Sequence, residues 1–462
     1  TLAARGHTTP DLIPVHRQLT SPATPRPHTR QVWQWLFVML LTLPAAQLQA
    51  AEPAGYDYPI TDPFEATVTG TPVELRHRFE QDKAMRLDSF ELDVFPGREL
   101  PPIFRPVQNL TFSLAYHETP APLIFVIAGT GGSYRATTAK YLQRVFYQAG
   151  FHVITLSSPS SYEFITAASE SHYPGISDDD ARDLYRIMQM SLAQVKELVS
   201  ITDVYLTGYS LGGLQAAFVS HRDDHEQAIG FRKVLLLNPP VSLYTSATLL
   251  DALLGSDPHM QNAHDYYIGL FDKFAEYFAE NGMIRLDDEA FMFKFQESEQ
   301  SLTQQEFMAL IGASFRFSSA GMVFTVDALN GTGHVVERGR QLAPGAPLEL
   351  YFKRGLWWRF TDYFDRMLVP YWQHRQPEDS PAQLIGKIGL TALRDYLANT
   401  DKIGVISNAD EIILTPQDIG FLASTFGSRA TIFPRGGHLG NVQHRDYVAR
   451  MLTFFGADSG DG

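Results

Sequence analysis

Five residues, Gly208-Tyr209-Ser210-Leu211-Gly212, constrain this chain more than any other stretch of its sequence. They lie between the apolar run Asp203-Val204-Tyr205-Leu206-Thr207, which has the character of a strand, and Gly213-Leu214-Gln215-Ala216-Ala217-Phe218-Val219, which has that of a helix. A strand that passes into a helix through Gly-x-Ser-x-Gly turns so tightly that the residues two before and two after the serine crowd each other. Only glycine, or another very small residue, relieves that crowding. The turn lifts the Ser210 hydroxyl clear of the sheet edge and aims the first amides of the following helix at whatever the hydroxyl meets. Gly213, Ala216 and Ala217 let that helix lie close to the sheet.

The surrounding pattern says what kind of sheet this is. Between 51 and 122 the chain shows short alternating runs, Glu65-Ala66-Thr67-Val68, Phe90-Glu91-Leu92-Asp93-Val94 and Leu110-Thr111-Phe112-Ser113-Leu114-Ala115-Tyr116, which suit antiparallel edge strands. Leu123-Ile124-Phe125-Val126-Ile127 is continuously apolar, as in a strand buried on both faces. A helix with Tyr141, Val145 and Ala149 on one face and a strand at 152–156 follow. Ser177, with Asp180 three residues on, reads as the N-cap of a long helix that carries Leu184, Met188, Leu192, Val195 and Leu198 to Val199. The acidic triplet 178–180 is accordingly a cap and not a metal site. Another buried strand is expected at 234–238. The alternation of strand and helix up to this point is that of a parallel sheet covered on both faces.

The alternation then stops. From 242 to 401 only helical patterns occur, at 266–281, 304–315, 356–371 and 383–397, before a strand at 402–407, a helix at 416–425, a strand at 430–433 and a last helix at 445–455. We therefore divide the chain into an amino-terminal extension with a signal peptide (1–50), the first part of an α/β core (51–242), a helical cap or lid inserted over the carboxyl edge of the sheet (243–400) and the second part of the core (401–462).

Several functions are excluded by composition. The chain has no cysteine, and so no disulfide, thiolate metal site or cysteine nucleophile. Arg26 and Arg30 precede an apolar run from 32 to 46, and Leu48-Gln49-Ala50 before Ala51 offers a small-residue cleavage site, so export to the periplasm or medium is expected. That run of about fifteen apolar residues falls short of the ~20 a bilayer span requires. Without residues 1–50 the chain carries 33 basic against 50 acidic side chains, a net −17, which repels nucleic acid. His221-Arg222-Asp223 and His444-Arg445-Asp446 copy a kinase tripeptide but lack the asparagine that should follow, and they read as solvated helix ends.

A serine becomes a nucleophile when a base takes its proton and a third group fixes the base. Catalytic groups in a parallel sheet gather at the carboxyl ends of its strands. After the strand at 402–407 comes Asn408-Ala409-Asp410-Glu411, and after that at 430–433 comes Pro434-Arg435-Gly436-Gly437-His438-Leu439-Gly440. Ser210, Asp410 and His438 thus follow the order serine, acid, histidine. Glu411 competes for the place of the acid. Asp410 is preferred because it lies nearer the strand end and needs less reach. An oxyanion requires two preorganised N–H donors. The Leu211 amide supplies one, and the glycine-rich loop Ala128-Gly129-Thr130-Gly131-Gly132 supplies the other, from Thr130 first and Gly131 second. That loop lacks the Lys-Ser/Thr of a phosphate cradle.

On these motifs, residues 123–234 and 402–455 resemble the α/β-hydrolase superfamily, with Ala128 standing where many members have histidine. The resemblance implies a mostly parallel sheet of about eight strands with helices on both faces. It also implies a Ser210–His438–Asp410 triad and hydrolysis through an acyl-enzyme; we expect no cofactor and no metal. The insertion is rich in aromatic residues, from Tyr266, Tyr267, Phe271, Phe274, Tyr277 and Phe278 to Trp357 and Trp358, of which most should form its core and a minority should face the site. The expected substrate is a small-molecule or lipid ester with a hydrophobic acyl group. The cap could touch a membrane surface without spanning it. The competing expectations are an acyltransferase with the same triad and a non-catalytic lipid-binding protein on this scaffold.

Overall fold

The apolar run at the centre of the chain forms the centre of the sheet. A computed structural model describes residues 55–79, 84–255, 272–273, 276 and 291–457. Its strands are β1 (Arg86–Leu92), β2 (Leu110–Tyr116), β3 (Ala121–Ile127), β4 (His152–Leu156), β5 (Ile201–Tyr209), β6 (Phe231–Leu237), β7 (Ile403–Asn408) and β8 (Ala430–Phe433). They pair in the order β1-β2-β4-β3-β5-β6-β7-β8. Both pairings of β2 are antiparallel and all others after it are parallel, so β2 alone runs against the rest. The fold class is therefore α/β, with a mostly parallel eight-stranded sheet.

Alternation along β3 divides the core between the two faces. Leu123, Phe125 and Ile127 join one buried cluster, Ile124, Val126 and Ala128 the other. Helices α1 (Pro63–Thr69), α2 (Thr137–Gln148), α3 (Tyr162–Ala167), α4 (Ser177–Val195), α5 (Leu211–Glu226) and α6 (Leu243–Ala252) precede the long α7 (Gln304–Asn330), and α8 (Glu349–Leu356), α9 (Pro416–Phe426) and α10 (Arg445–Phe455) follow. Helices α2 and α10 cover the Ile124 face with Leu142, Phe146, Met451 and Phe455, while α4, α5 and α9 cover the other with Leu184, Met188, Leu214 and Leu422. Each such fully buried side chain contributes about 1.5–3 kcal/mol of hydrophobic stabilisation.

No strand occurs among the described residues between β6 and β7. The helix expected at 304–315 runs on to Asn330 as α7. By length and composition it could cross a membrane, with a mean hydropathy of 1.4 over its most apolar window. Its small residues instead permit close packing: a Cβ on Gly312 would stand 2.9 Å from the Leu254 side chain, and one on Gly355 of α8 3.0 Å from the Ala320 carbonyl. Of the helix expected at 266–281 only 272–273 and 276 are described, all helical; Tyr266, Tyr267, Phe271, Phe274, Tyr277 and Phe278 lie outside the described residues, as does the expected signal peptide at 1–50. Phe295 and Phe364 are buried, Trp358 is packed, and Trp357 is 57% exposed.

Several sequence expectations are corrected. The run at 65–68 is part of α1 and not a strand: Asp62 caps it by accepting from the Phe64 and Glu65 amides, both at 2.9 Å, and Pro63 takes the first helical position, where its missing N–H costs nothing. Ser177 is the first residue of α4, not its cap, and its hydroxyl donates to the Ile388 carbonyl at 2.9 Å. The pattern at 356–371 is broken by a π turn at Phe364–Leu368, because Pro370 has no N–H to give back to the preceding turn. Asp223 and His444 are not solvated. Asp223, 2% exposed, accepts from the Tyr185 hydroxyl at 2.7 Å and from the amides of Ile229, Gly230 and Phe231, while His444 is a buried cap of α10.

Candidate active site

The steric argument for the two elbow glycines holds at atomic detail. A Cβ on Gly208 would lie 2.1 Å from the Gly212 carbonyl oxygen, and one on Gly212 2.2 Å from that of Ile127. Between them Ser210 adopts φ 55°, ψ −125°, a region that L-residues avoid. Its amide donates to the Leu237 carbonyl at 2.8 Å, which anchors the apex to the end of β6.

From this apex a line of hydrogen bonds runs inward. Ser210 Oγ lies 2.9 Å from His438 Nε2, and His438 Nδ1 lies 2.8 Å from Glu411 Oε1. The imidazole side chain is 16% exposed and that of Glu411 fully enclosed. Glu411 Oε2 accepts from Asn238 Nδ2 at 2.7 Å. The acid on the histidine is therefore Glu411, where sequence reasoning preferred Asp410. The two neighbours sit on the turn after β7 with their side chains doing different things. Asp410 Oδ2 and Oδ1 accept from the backbone amides of Gly436 and Gly437, at 3.1 and 3.0 Å, so it holds the histidine loop and not the imidazole. Burial pushes the Asp410 carboxyl above the usual range, and the two glycine amides pull against it. The shorter side chain reaches the nearer loop, while the extra methylene of glutamate carries Glu411 into the core.

The histidine loop is latched from the opposite end of the chain. The His438 amide donates to Thr67 Oγ1 at 2.9 Å, the Thr71 hydroxyl to the Gly440 carbonyl at 2.8 Å, and the Tyr56 hydroxyl to the Arg435 carbonyl at 2.8 Å. Asn408 and Asn441 bond each other, and Asn408 also donates to the Gly437 carbonyl at 2.7 Å. Gly437 sits at φ +53° with the Pro63 carbonyl where a Cβ would fall, so no side chain fits there.

The glycine-rich loop faces the serine from the end of β3. Gly132 N–H closes a turn on the Gly129 carbonyl at 2.9 Å, and the Gly131 amide donates to Ser160 Oγ at 2.9 Å. Thr130 N–H meets no acceptor among the described residues, and the Leu211 amide is the first of α5, where helix geometry leaves donors unpaired. The loop rests on Tyr209, whose ring a Cβ on Gly129 would meet at 3.0 Å and whose hydroxyl burial pushes up to about 12. These contacts support the loop that Ala128 opens.

Thr130 and Leu211 both line a cavity whose other walls are mostly apolar: Leu243 and Ala247 of α6, Phe315 and Met322 of α7, Phe360 and Tyr363. Ser160, Ser318 and Ser319 add hydroxyls. Of the aromatic residues in the insertion, Phe315, Phe360 and Tyr363 thus face the site. Phe360 is fixed by a buried ion pair between Arg316 and Asp251 (2.9 Å), whose second carboxylate oxygen accepts the Phe360 amide at 2.6 Å. Among the described residues one cluster, Asp57, His444 and Asp446, has metal-like spacing. Its Asp57 is already paired with Arg445 and His444.

No family model and no curated protein matches this chain in sequence. Among solved structures it is similar to a thermostable esterase from Pseudomonas putida, at 13% identity over 80% of this chain and 81% of that one, with a TM-score of 0.39. It is similar to an esterase from Pyrococcus furiosus at 10% identity over 82% and 96%, with a TM-score of 0.38. Est1E from Butyrivibrio proteoclasticus matches at 17% identity over 28% of this chain, which spans about half (47%) of that protein, with a TM-score of 0.22. By its own strand order, with β2 reversed and a strained serine between β5 and α5, the chain has the α/β-hydrolase fold.

Proposed function

We propose that this protein is a serine hydrolase that cleaves carboxylic esters of hydrophobic acyl groups. The observation that carries the reading is the unbroken line Ser210–His438–Glu411, at 2.9 and 2.8 Å, beside an apolar cavity lined by Thr130 and Leu211. Ser210 Oγ attacks the ester carbonyl carbon while His438 Nε2 takes its proton. The carbonyl oxygen becomes an oxyanion, received by the N–H groups of Leu211 and Thr130. Glu411 stabilises the imidazolium and fixes the tautomer that leaves Nε2 free to act as base. Collapse of the adduct breaks the bond to the alcohol, which leaves with the proton from His438. Water repeats the sequence on the acyl-enzyme, releasing the acid and restoring Ser210.

The acyl group is assigned to the cavity under α7. The Leu48-Gln49-Ala50 site supports action outside the cytoplasm, where net negative charge keeps the protein from nucleic acid. Fluorophosphonate labelling of the wild type against Ser210→Ala tests the nucleophile, and p-nitrophenyl esters of graded length test the acyl site. Equal labelling of both proteins would remove Ser210 from the mechanism. An added alcohol that outcompetes water would reassign the reaction to acyl transfer.

A further inference from the structure

The geometry points to Asn238 and Tyr447 as positioning residues that hold Glu411 in line with His438, an inference that rests on the catalytic reading above. Asn238 follows directly on the last residue of β6 and is completely buried. Its backbone has φ 46°, an unusual conformation for any residue but glycine, although asparagine tolerates it better than most. A position that needed only to turn the chain would be served by glycine. Asn238 uses its side chain fully. A carboxylate can only accept hydrogen bonds, so the amide nitrogen of Asn238 must face Glu411 Oε2, at 2.7 Å. Its carbonyl oxygen then points the other way and receives the Tyr447 hydroxyl at 2.7 Å. Tyr447, on α10, is also fully buried and stacks on Phe433 at the end of β8.

The result is a directed chain from Tyr447 O–H to Asn238, from Asn238 N–H to Glu411, and from His438 Nδ1–H to the other oxygen of Glu411. With its two oxygens held by donors from opposite sides, the carboxylate cannot rotate away from the imidazole without breaking a buried charge-assisted bond. Two consecutive residues at the end of β6 thereby serve two members of the site. The Leu237 carbonyl receives the Ser210 amide at 2.8 Å, and the Asn238 side chain holds the acid.

The test compares wild type with Asn238→Asp and Tyr447→Phe. Aspartate keeps the shape and the backbone tolerance but has no N–H for Glu411; two facing carboxylates repel each other or share one proton, and either way the charge-assisted N–H bond that orients the acid is gone. Phenylalanine keeps the packing and removes one hydroxyl. Losing a charge-assisted hydrogen bond is worth about 10- to 100-fold in kcat for Asn238→Asp, with KM within about twofold, and the loss of the outer, neutral bond about 3- to 10-fold for Tyr447→Phe. A Glu411 with fewer hydrogen bonds binds protons more tightly and stabilises the imidazolium more, so the acidic limb of kcat/KM should move to higher pH in Tyr447→Phe, which adds no titratable group. The low-field proton resonance of the His438 Nδ1–H, which needs no turnover, should shift in both. A kcat within twofold of wild type, with an unmoved acidic limb and an unchanged resonance, would overturn the assignment. Wild type inert on every ester would instead strike at the catalytic reading, and the proton resonance alone would then decide whether these two residues hold Glu411.

Discussion

Replacing Glu411 with glutamine separates the two neighbouring acids. Glu411 serves two buried donors, His438 Nδ1 at 2.8 Å and Asn238 Nδ2 at 2.7 Å. Glutamine has one acceptor oxygen and an NH2 group. If the oxygen stays with Asn238, the NH2 turns to Nδ1, the imidazole must carry its proton on Nε2, and Ser210 loses its base. If the oxygen turns to His438, two NH2 groups oppose each other in a site without water access. In both cases the imidazolium forms without a buried carboxylate beside it. A pair of charges about 4 Å apart at an effective dielectric near 20 is worth about 4 kcal/mol. With part of a charge-assisted hydrogen bond lost as well, the barrier rises by about 5–6 kcal/mol, or roughly 10⁴-fold in kcat/KM. Asp410→Asn still accepts one of the two glycine amides, so it should cost about 1–3 kcal/mol of stability and less than about tenfold in activity. The assay is kcat/KM on a p-nitrophenyl ester, with the rate of fluorophosphonate labelling and circular dichroism run in parallel. An Asp410→Asn protein that is folded yet weaker by several decades, beside a nearly normal Glu411→Gln, would refute the assignment of the acid.

Three further outcomes follow from the geometry. Gly212→Ala drives a methyl group to 2.2 Å from the Ile127 carbonyl, so the elbow must open; we expect a loss of more than about 3 kcal/mol in thermal unfolding together with loss of labelling at Ser210. Asp223→Ala strands the Tyr185 hydroxyl and three amides, costing about 3–5 kcal/mol at neutral pH. Burial raises the Asp223 carboxyl, but these donors outweigh it and hold the group below its usual value; its stabilisation is therefore complete above the unfolded value and is lost as pH falls through the folded one, so urea titrations should show wild type and variant converging in strong acid. Met322→Ala deepens the wall of the cavity, and the preferred p-nitrophenyl ester should shift to a longer acyl chain; an unchanged profile would place the acyl group elsewhere.

The elbow and the glycine-rich loops were legible because their chemistry is local: glycines at fixed offsets from Ser210 and His438 report backbone crowding wherever the rest of the chain goes. The parallel strands were legible for a similar reason, since burial on both faces leaves an apolar run such as Leu123-Ile124-Phe125-Val126-Ile127. Choosing between Asp410 and Glu411 was a different matter. Adjacent residues on a turn point in different directions, and a rule of least reach along the chain ignores which direction faces the imidazole. Asn238 was the available signal, since a polar residue ending a buried strand needs a partner, and its partner is the acid. The short helix at 63–69 was signalled by Asp62-Pro63 but hidden by the β-branched run Thr67-Val68-Thr69. Asp223 looked like a surface charge because three of the groups that hold it are backbone amides, which a sequence does not display, and the fourth, the Tyr185 hydroxyl, is 38 residues away.

The histidine loop depends on a strap of residues 56–71 nearly four hundred positions away. A protein trimmed beyond Tyr56, by an exoprotease or by the choice of where an expression clone starts, would retain Ser210, Glu411, His438 and the whole sheet. It would nonetheless lose the Tyr56 latch on the loop that carries the imidazole, and with trimming past Thr67 the partner of the His438 amide as well. Any processing or cloning boundary must therefore stop short of that tyrosine, and the purified protein's amino terminus becomes a quantity to verify by mass spectrometry before any specific activity is compared between preparations.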